Sequence, residues 1–425
     1  MSFPRMPLAI GGWMLAASVI AAPSAPQSPV SIELSHQLDE ERAERLEPLI
    51  ESFNKQQKNV QVKLVRRVGG EAPKQLNLVT REEQKRFVDN KAQFKPLHQV
   101  MREAKEKFDA SKLSPELREG LTDGKGQLMA LPVAYSTPVL YINREAFRKA
   151  GLDPDKPPKT WFEAQEVAGK LADAGNACPF TTSWPAWVLL DNLSAWNGAE
   201  TSDGSGKLAF NGLVQVKHVA MMATWYKSKY FSYFGRRDEA DRRFANGECG
   251  MLTSSSSLYA SFADKKLDVG VATLPYHDDV YGAPKATLAD GASLWVASGL
   301  KPAETKGVAK FVNYVLGPEV QVNLTLAGGF LPMTPVARAA ANSKLLKSDL
   351  AGLHVAYAEL QGKPTASAVR VSQVEPLRTI VEEELESVWA DKKPAKEALD
   401  NAVARGNAIL PSSASARVAK SKRRM

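Results

Sequence analysis

The chain predicts an α/β fold of two doubly wound lobes, and three observations carry that expectation. Its opening alternates strand, helix and strand. The alternation continues over about 400 residues, more than a single core normally holds. Its composition, 44% hydrophobic and 24% charged among 425 residues, is that of an ordinary globular protein. Residues 30–34 read as a short strand. Residues 40–56 follow as an amphipathic helix with Leu46, Leu49, Ile50 and Phe53 on one face, and 60–65 alternate as a second strand, giving the β-α-β start of a doubly wound lobe. Further on, 139–142, 250–253 and 292–297 read as strands and 160–174 as a helix. No internal repeat interrupts the pattern, and the sole low-complexity run is 254–257, four serines.

At the N-terminus, Arg5 precedes an apolar stretch over 7–22 that ends in small residues, the pattern of a secretory signal peptide over 1–21 with cleavage after Ala21. The stretch contains Pro7, Gly11 and Gly12 and is shorter than the roughly 20 apolar residues of a spanning helix, so an anchor is disfavoured. An exported chain meets an oxidising compartment. Its two cysteines, Cys178 and Cys249, lie near expected strands of one lobe; they could form one disulfide or stay as two buried thiols.

Two cysteines and five scattered histidines give no metal-ligand spacing, so neither metal nor cofactor is expected. No nucleophile elbow or triad-like spacing occurs, and no catalytic residue is assigned. The carboxylate run Glu382, Glu383 and Glu384 reads as a solvated helix face with i,i+4 partners, because consecutive helical residues point about 100° apart. The net charge of +8 is partly terminal. Lys420, Lys422, Arg423 and Arg424 make 416–425 a flexible basic tail rather than a nucleic-acid arm.

Residues 184–198 hold three of the eight tryptophans, Trp184, Trp187 and Trp196, among turn-forming and amide-bearing residues. Indole faces pack against the C–H faces of polyols while neighbouring amides and hydroxyls bond their oxygens, as in a small-molecule cleft. A helix whose tryptophans fill a core accounts for the same residues.

Several blocks narrow the choice. They are Ser136-Thr-Pro-Val-Leu-Tyr-Ile-Asn143, Ala150-Gly-Leu-Asp-Pro154, Pro158-Lys-Thr-Trp161, the 184–198 segment, Gly291-Ala-Ser-Leu-Trp295, Gly307-Val-Ala-Lys-Phe311 and Glu382-Glu-Glu-Leu-Glu-Ser-Val-Trp389. In this order, over nearly all of the mature chain, they resemble the periplasmic glycerol-3-phosphate-binding proteins that serve ABC importers. The resemblance implies a periplasmic-binding-protein fold that closes on ligand by a hinge. Its three crossovers are expected near 133–139, 285–291 and 331–335, with 22–136 plus 290–332 in lobe 1 and 137–289 plus 333–415 in lobe 2. It also favours the Cys178–Cys249 bridge, since the relatives carry cysteines at matching places.

By the same resemblance, Ser136, Ser255, Gly291 and Arg378 occupy positions that contact glycerol or phosphate, and Trp184 and Trp187 form an aromatic floor. A guanidinium offers phosphate a planar fork of donors, and hydroxyls and a glycine N–H add bonds at close range. Read without the motifs, Arg378 is a salt-bridge partner of Glu382 at i,i+4 spacing and Ser255 a turn serine. The chain departs from the family pattern in four places. The first lobe is about a dozen residues shorter between Val65 and Pro96, where the charged run 81–86 replaces the usual helix and strand and Glu82 takes the place of a ligand-binding glutamate. A tyrosine upstream is missing, with Gly69, Gly70 and Glu71 in its neighbourhood. Phe330 replaces a second binding tyrosine. Asp290 replaces a glycine, and its carboxylate opposes a phosphate or attracts a cationic head group such as choline, against which Trp184 or Trp187 could make a cation–π contact.

The expectation is therefore a monomeric periplasmic receptor that holds glycerol-3-phosphate or a glycerophosphodiester such as glycerophosphocholine, with Ser136 and the Glu82 region on one wall, Trp184, Trp187, Ser255 and Arg378 on the other, and Gly291 at the hinge. Its partners are then the permease and ATPase of an ABC importer. An oligosaccharide receptor of the maltose-binding kind, a secreted hydrolase and a degenerate receptor with altered ligand remain the competing readings.

Overall fold

The computed structural model describes residues 28–410 apart from 39–42, 45, 69–70, 81–92, 119–120, 124, 204, 206, 263–266, 348–350 and 361–373. The expected signal segment, the basic tail and Glu82 lie outside the described residues. Two sheets organise the chain. The first contains β1 (Val30–His36), β2 (Val60–Arg66), β3 (Leu76–Thr80), β4 (Phe94–Lys95), β5 (Leu131–Ser136) and β11 (Asp290–Ala297). Its order is β2-β1-β3-β11-β4, with β5 paired to β11. The second has the order β10-β6-β9-β7-β8, formed by β6 (Pro138–Asn143), β7 (Cys178–Thr182), β8 (Phe231–Ser232), β9 (Cys249–Ser255) and β10 (Val269–Ala272).

The β-α-β opening is present: β1 and β2 pair in parallel from Val30 opposite Val60, and the connecting helix Glu47–Gln56 buries Ile50 and Phe53 with Leu46. Asn54 fastens this helix to β2 by bonding both the N–H and the C=O of Val62 at 2.9 and 2.8 Å. Within the expected 40–56, residues 43–44 are also helical, 40–42 and 45 lie outside the described residues, and Pro48 sits in the first turn of Glu47–Gln56, where a missing N–H costs nothing. A correction concerns 65–96. A strand does persist there, since β3 is buried at the centre of the first sheet between β1 and β11.

In the second sheet, the capping box of Thr160 and Glu163 starts the helix Trp161–Asp173, which buries Trp161, Ala164, Ala168 and Leu171. The parallel register of β7 and β9 sets Cys178 opposite Cys249, and the two are joined by a disulfide. The C-terminal helices Val374–Trp389 and Ala395–Ile409 pack on the helix Leu213–Lys227, where Ile380, Leu385, Val388, Leu399 and Ala402 share a core with Val219, Met222 and Trp225. Arg378 is thereby carried by a helix that packs with the second sheet.

The chain changes sheet with only Thr137 between β5 and β6, and returns between Ala272 and Asp290. A third passage follows the helix Pro318–Gly328, where Leu331 N–H bonds the Tyr135 carbonyl at 2.8 Å before the helix Pro335–Leu345 begins. These passages bring the ends of β5, β6, β9 and β11 to one place.

Candidate functional site

The strand ends form a cavity of about 140 Å³, lined by Leu38, Thr80, Ala134, Ser136, Trp184, Trp187, Ser255, Ser257, Asp290, Gly291, Ala292, Phe330 and Arg378. Register explains why residues from both sheets meet. Ser136, last in β5, stands opposite Asp290, first in β11, while Ser255, last in β9, stands opposite Pro138 at the start of β6.

The serines form a chain of hydroxyls: Ser136 Oγ lies 2.7 Å from Ser255 Oγ, which lies 2.7 Å from Ser257 Oγ. Tyr141 holds this corner by donating its hydroxyl to the Ser255 carbonyl at 2.7 Å. Beneath it, buried Asp241 accepts from Ser254 Oγ at 2.7 Å and Ser183 Oγ at 2.6 Å, pinning the residues that precede Ser255 and Trp184.

Trp184 itself has φ 54°, a left-handed conformation that costs a bulky residue roughly 1–3 kcal/mol. Its N–H bonds the Arg237 carbonyl at 2.9 Å, its carbonyl accepts from Val188, and the Arg237 guanidinium carbon stands 5.5 Å from the ring centroid. A π-helical turn over Ala186–Asn192 then presents Trp187, only 5% exposed, whose Nε1 is a buried donor without a hydrogen-bond partner among the described residues. Trp196 serves the core, donating Nε1 to the Leu274 carbonyl at 2.7 Å. Both readings of the 184–198 segment therefore hold, for different tryptophans.

Across the cavity Arg378 Nη2 donates to Asp290 Oδ2 at 2.5 Å, each side chain being 11% exposed, and Asp290 Oδ1 accepts from Gly291 N–H at 2.7 Å. Burial works against the Arg378 charge, but Asp290, Asp191 and Glu382 outweigh it and raise the guanidinium's pKa. One helical turn on, burial pushes the Glu382 carboxyl up to about 7, against the pull of Arg237, Arg236 and Arg378. Gly291 is required by backbone approach, since a Cβ there would stand 1.9 Å from the Ala134 carbonyl oxygen.

Comparison with known proteins places this architecture. Residues 48–351 match the family described as bacterial extracellular solute-binding protein. The chain belongs to that family. It is 40% identical over 328 residues to the sn-glycerol-3-phosphate-binding periplasmic protein UgpB of Pectobacterium atrosepticum, covering 74% of each chain. Among solved structures, UgpB from Mycobacterium tuberculosis in complex with glycerophosphocholine superposes with a TM-score of 0.72 at 20% identity, over 89% of this chain and 98% of that one. The maltose-bound MalE3 of T. maritima has the same TM-score at 18% identity, over 88% and 98%. These two likenesses show the fold, that of periplasmic binding proteins.

Of the residues singled out from this family member's sequence, Ser136, Trp184, Trp187, Ser255, Asp290, Gly291, Phe330 and Arg378 all line the one cavity. Ser257 also lines it; its signal was the 254–257 serine run, which follows β9 directly. Arg378 pairs with Asp290, because the C-terminal helix turns it toward the start of β11, and Asp290 also accepts from the Gly291 N–H. One reading is corrected. Glu382 and Glu384 are buried, and Glu383 and Glu384 pair with Arg405 and Lys393 from the next helix and the turn before it instead of with i,i+4 neighbours. Among the described residues no group of three or more acidic, His or Cys side chains could hold a metal ion, and no helix is long and apolar enough to cross a membrane.

Proposed function

We propose that this chain is a periplasmic receptor of an ABC importer that captures glycerol-3-phosphate or a glycerophosphodiester between its lobes and delivers it to the membrane permease and its ATPase. The observation that carries this reading is the meeting of a buried guanidinium, a chain of hydroxyls and two indoles at the junction of the sheets, in a chain 40% identical to a glycerol-3-phosphate-binding periplasmic protein. In this role Arg378 meets the phosphate, Ser136, Ser255 and Ser257 bond the glyceryl oxygens, and Trp184 and Trp187 pack on its C–H faces with the Trp187 N–H as a further donor. Phe330 closes the floor with an apolar edge.

The proposed lobe boundaries fall at 136/137, 289/290 and 332/333. Ligand that touches both lobes shifts an open–closed equilibrium toward the closed form by its differential affinity, and the monomeric closed form is what the permease meets. A neutral oligosaccharide gives no reason for Arg378 to stand in the cavity. Calorimetric titration with glycerol-3-phosphate, glycerophosphocholine and maltose tests the assignment. Binding of a glycerophosphate compound at micromolar level or tighter, abolished in Arg378→Ala, is the expected result; preferential binding of maltose would replace it with the sugar-receptor reading.

A further inference from the structure

Arg378 and Asp290 are the charged side chains among the described cavity-lining residues, one of each sign. They are bonded at 2.5 Å and nearly buried. The pair spans the cleft, since Arg378 rides on a helix that packs with the second sheet and Asp290 begins β11 of the first sheet opposite Ser136. Asp290 Oδ1 also accepts from the Gly291 N–H at 2.7 Å, a second bond that helps hold the carboxylate in this orientation.

We propose that Asp290 is a specificity-determining residue that balances Arg378 and so favours glycerophosphate ligands with a single phosphate charge, the diesters, over the dianionic monoester. This inference rests on the glycerophosphate reading above. A phosphomonoester carries between one and a half and two negative charges at neutral pH. A diester carries one, and a diester with a cationic head has no net charge. With the Arg378 charge already met by Asp290, each added negative charge on the ligand faces the Asp290 carboxylate at close range in a site sheltered from water, where like charges repel strongly. The selection acts on the phosphate itself and requires no contact between Asp290 and a head group.

Asp290→Asn keeps the side-chain shape and an acceptor for the Gly291 N–H while removing the charge. Three probes separate charge from size: sn-glycerol-3-phosphate, its monomethyl diester and glycerophosphocholine, each titrated by calorimetry at pH 8 against the mature wild-type and variant proteins. The wild type is expected to bind both diesters more tightly than the monoester. In Asp290→Asn the monoester is expected to gain roughly tenfold or more relative to the methyl diester. Retained glycerophosphocholine binding shows that the variant is folded, and Asp290→Ser replaces it if it is not. An unchanged ratio of monoester to methyl diester, with binding intact, overturns this inference alone. A wild type that binds none of the three overturns the glycerophosphate reading and this inference with it.

Discussion

The cavity wall has a hydroxyl part and a charged part: Ser136, Ser255 and Ser257 share hydroxyl bonds over main chain fixed by strand pairing, whereas beside them, with Asp290 directly across the ladder from Ser136, Arg378 and Asp290 bring opposite charges out of water. The hydroxyl part is built from neutral bonds, each worth about 0.5–1.5 kcal/mol net, and survives the loss of any one of them. The charged part does not. Its two members have been desolvated together, and removing one takes the bonded opposite charge from the other. Position in the chain follows the same division: the serines sit at strand ends set by register, while the ion pair joins residues 88 apart through the docking of a helix.

The largest expected effect is therefore at Arg378. Arg378→Ala should lower stability by about 3–5 kcal/mol, read by denaturant unfolding, and weaken glycerophosphate binding at least a hundredfold in calorimetry, because Asp290 loses its buried counter-charge. Adding Asp290→Asn should restore much of the stability and little of the affinity. If the single variant is as stable as wild type, the contrast between the two parts fails.

Trp187→Phe comes next. It keeps most of the packing and deletes the orphan N–H, so affinity should fall roughly tenfold while stability moves by less than about 1 kcal/mol; unchanged affinity would show that the donor is not used. Ser136→Ala and Ser255→Ala should each cost only about two- to tenfold in affinity, and a loss near that of Arg378→Ala would place the hydroxyls on a par with the charge.

The smallest effect concerns Glu382. Its pKa in the fold, about 7, lies above the ordinary glutamate value near 4.3. Between those values the unfolded chain has released a proton that the native state keeps, so this group makes folding progressively less favourable as pH rises through the window. Glu382→Gln should flatten that part of the stability–pH curve. Ionised Glu382 also adds a negative charge one turn from Arg378, so wild-type affinity for an anionic ligand should decline modestly above pH 7, and the decline should vanish in the same variant.

Much of this was legible in the chain itself. Alternation and helical periodicity are local signals, and β1, β2, β6, β9, β11 and the helices after β1 and before β7 fell where they were expected. The strand β3 was not seen. Its five residues, Leu76-Asn-Leu-Val-Thr80, of which the first four are buried, have neither the alternation of a half-exposed strand nor the length to be told from a buried helix. The family resemblance picked out eight residues of one cavity, four of them, Ser136, Trp184, Trp187 and Gly291, inside the motif blocks, and most sit at strand ends and turns, whose local sequence is constrained by register and backbone approach. Gly291 is the plainest case, with β5 passing too close for any Cβ.

By itself, then, the sequence determined the two-lobed α/β fold and the neighbourhood of the site. Only the tertiary structure decided which tryptophan faces the cavity and which the core, and that Arg378 meets Asp290, 88 residues away in the chain. The physical reason is one of range. Hydrophobic periodicity and turn chemistry act within a few residues, but the partner of a buried charge is settled by how separate elements pack, and no spacing along the chain encodes that.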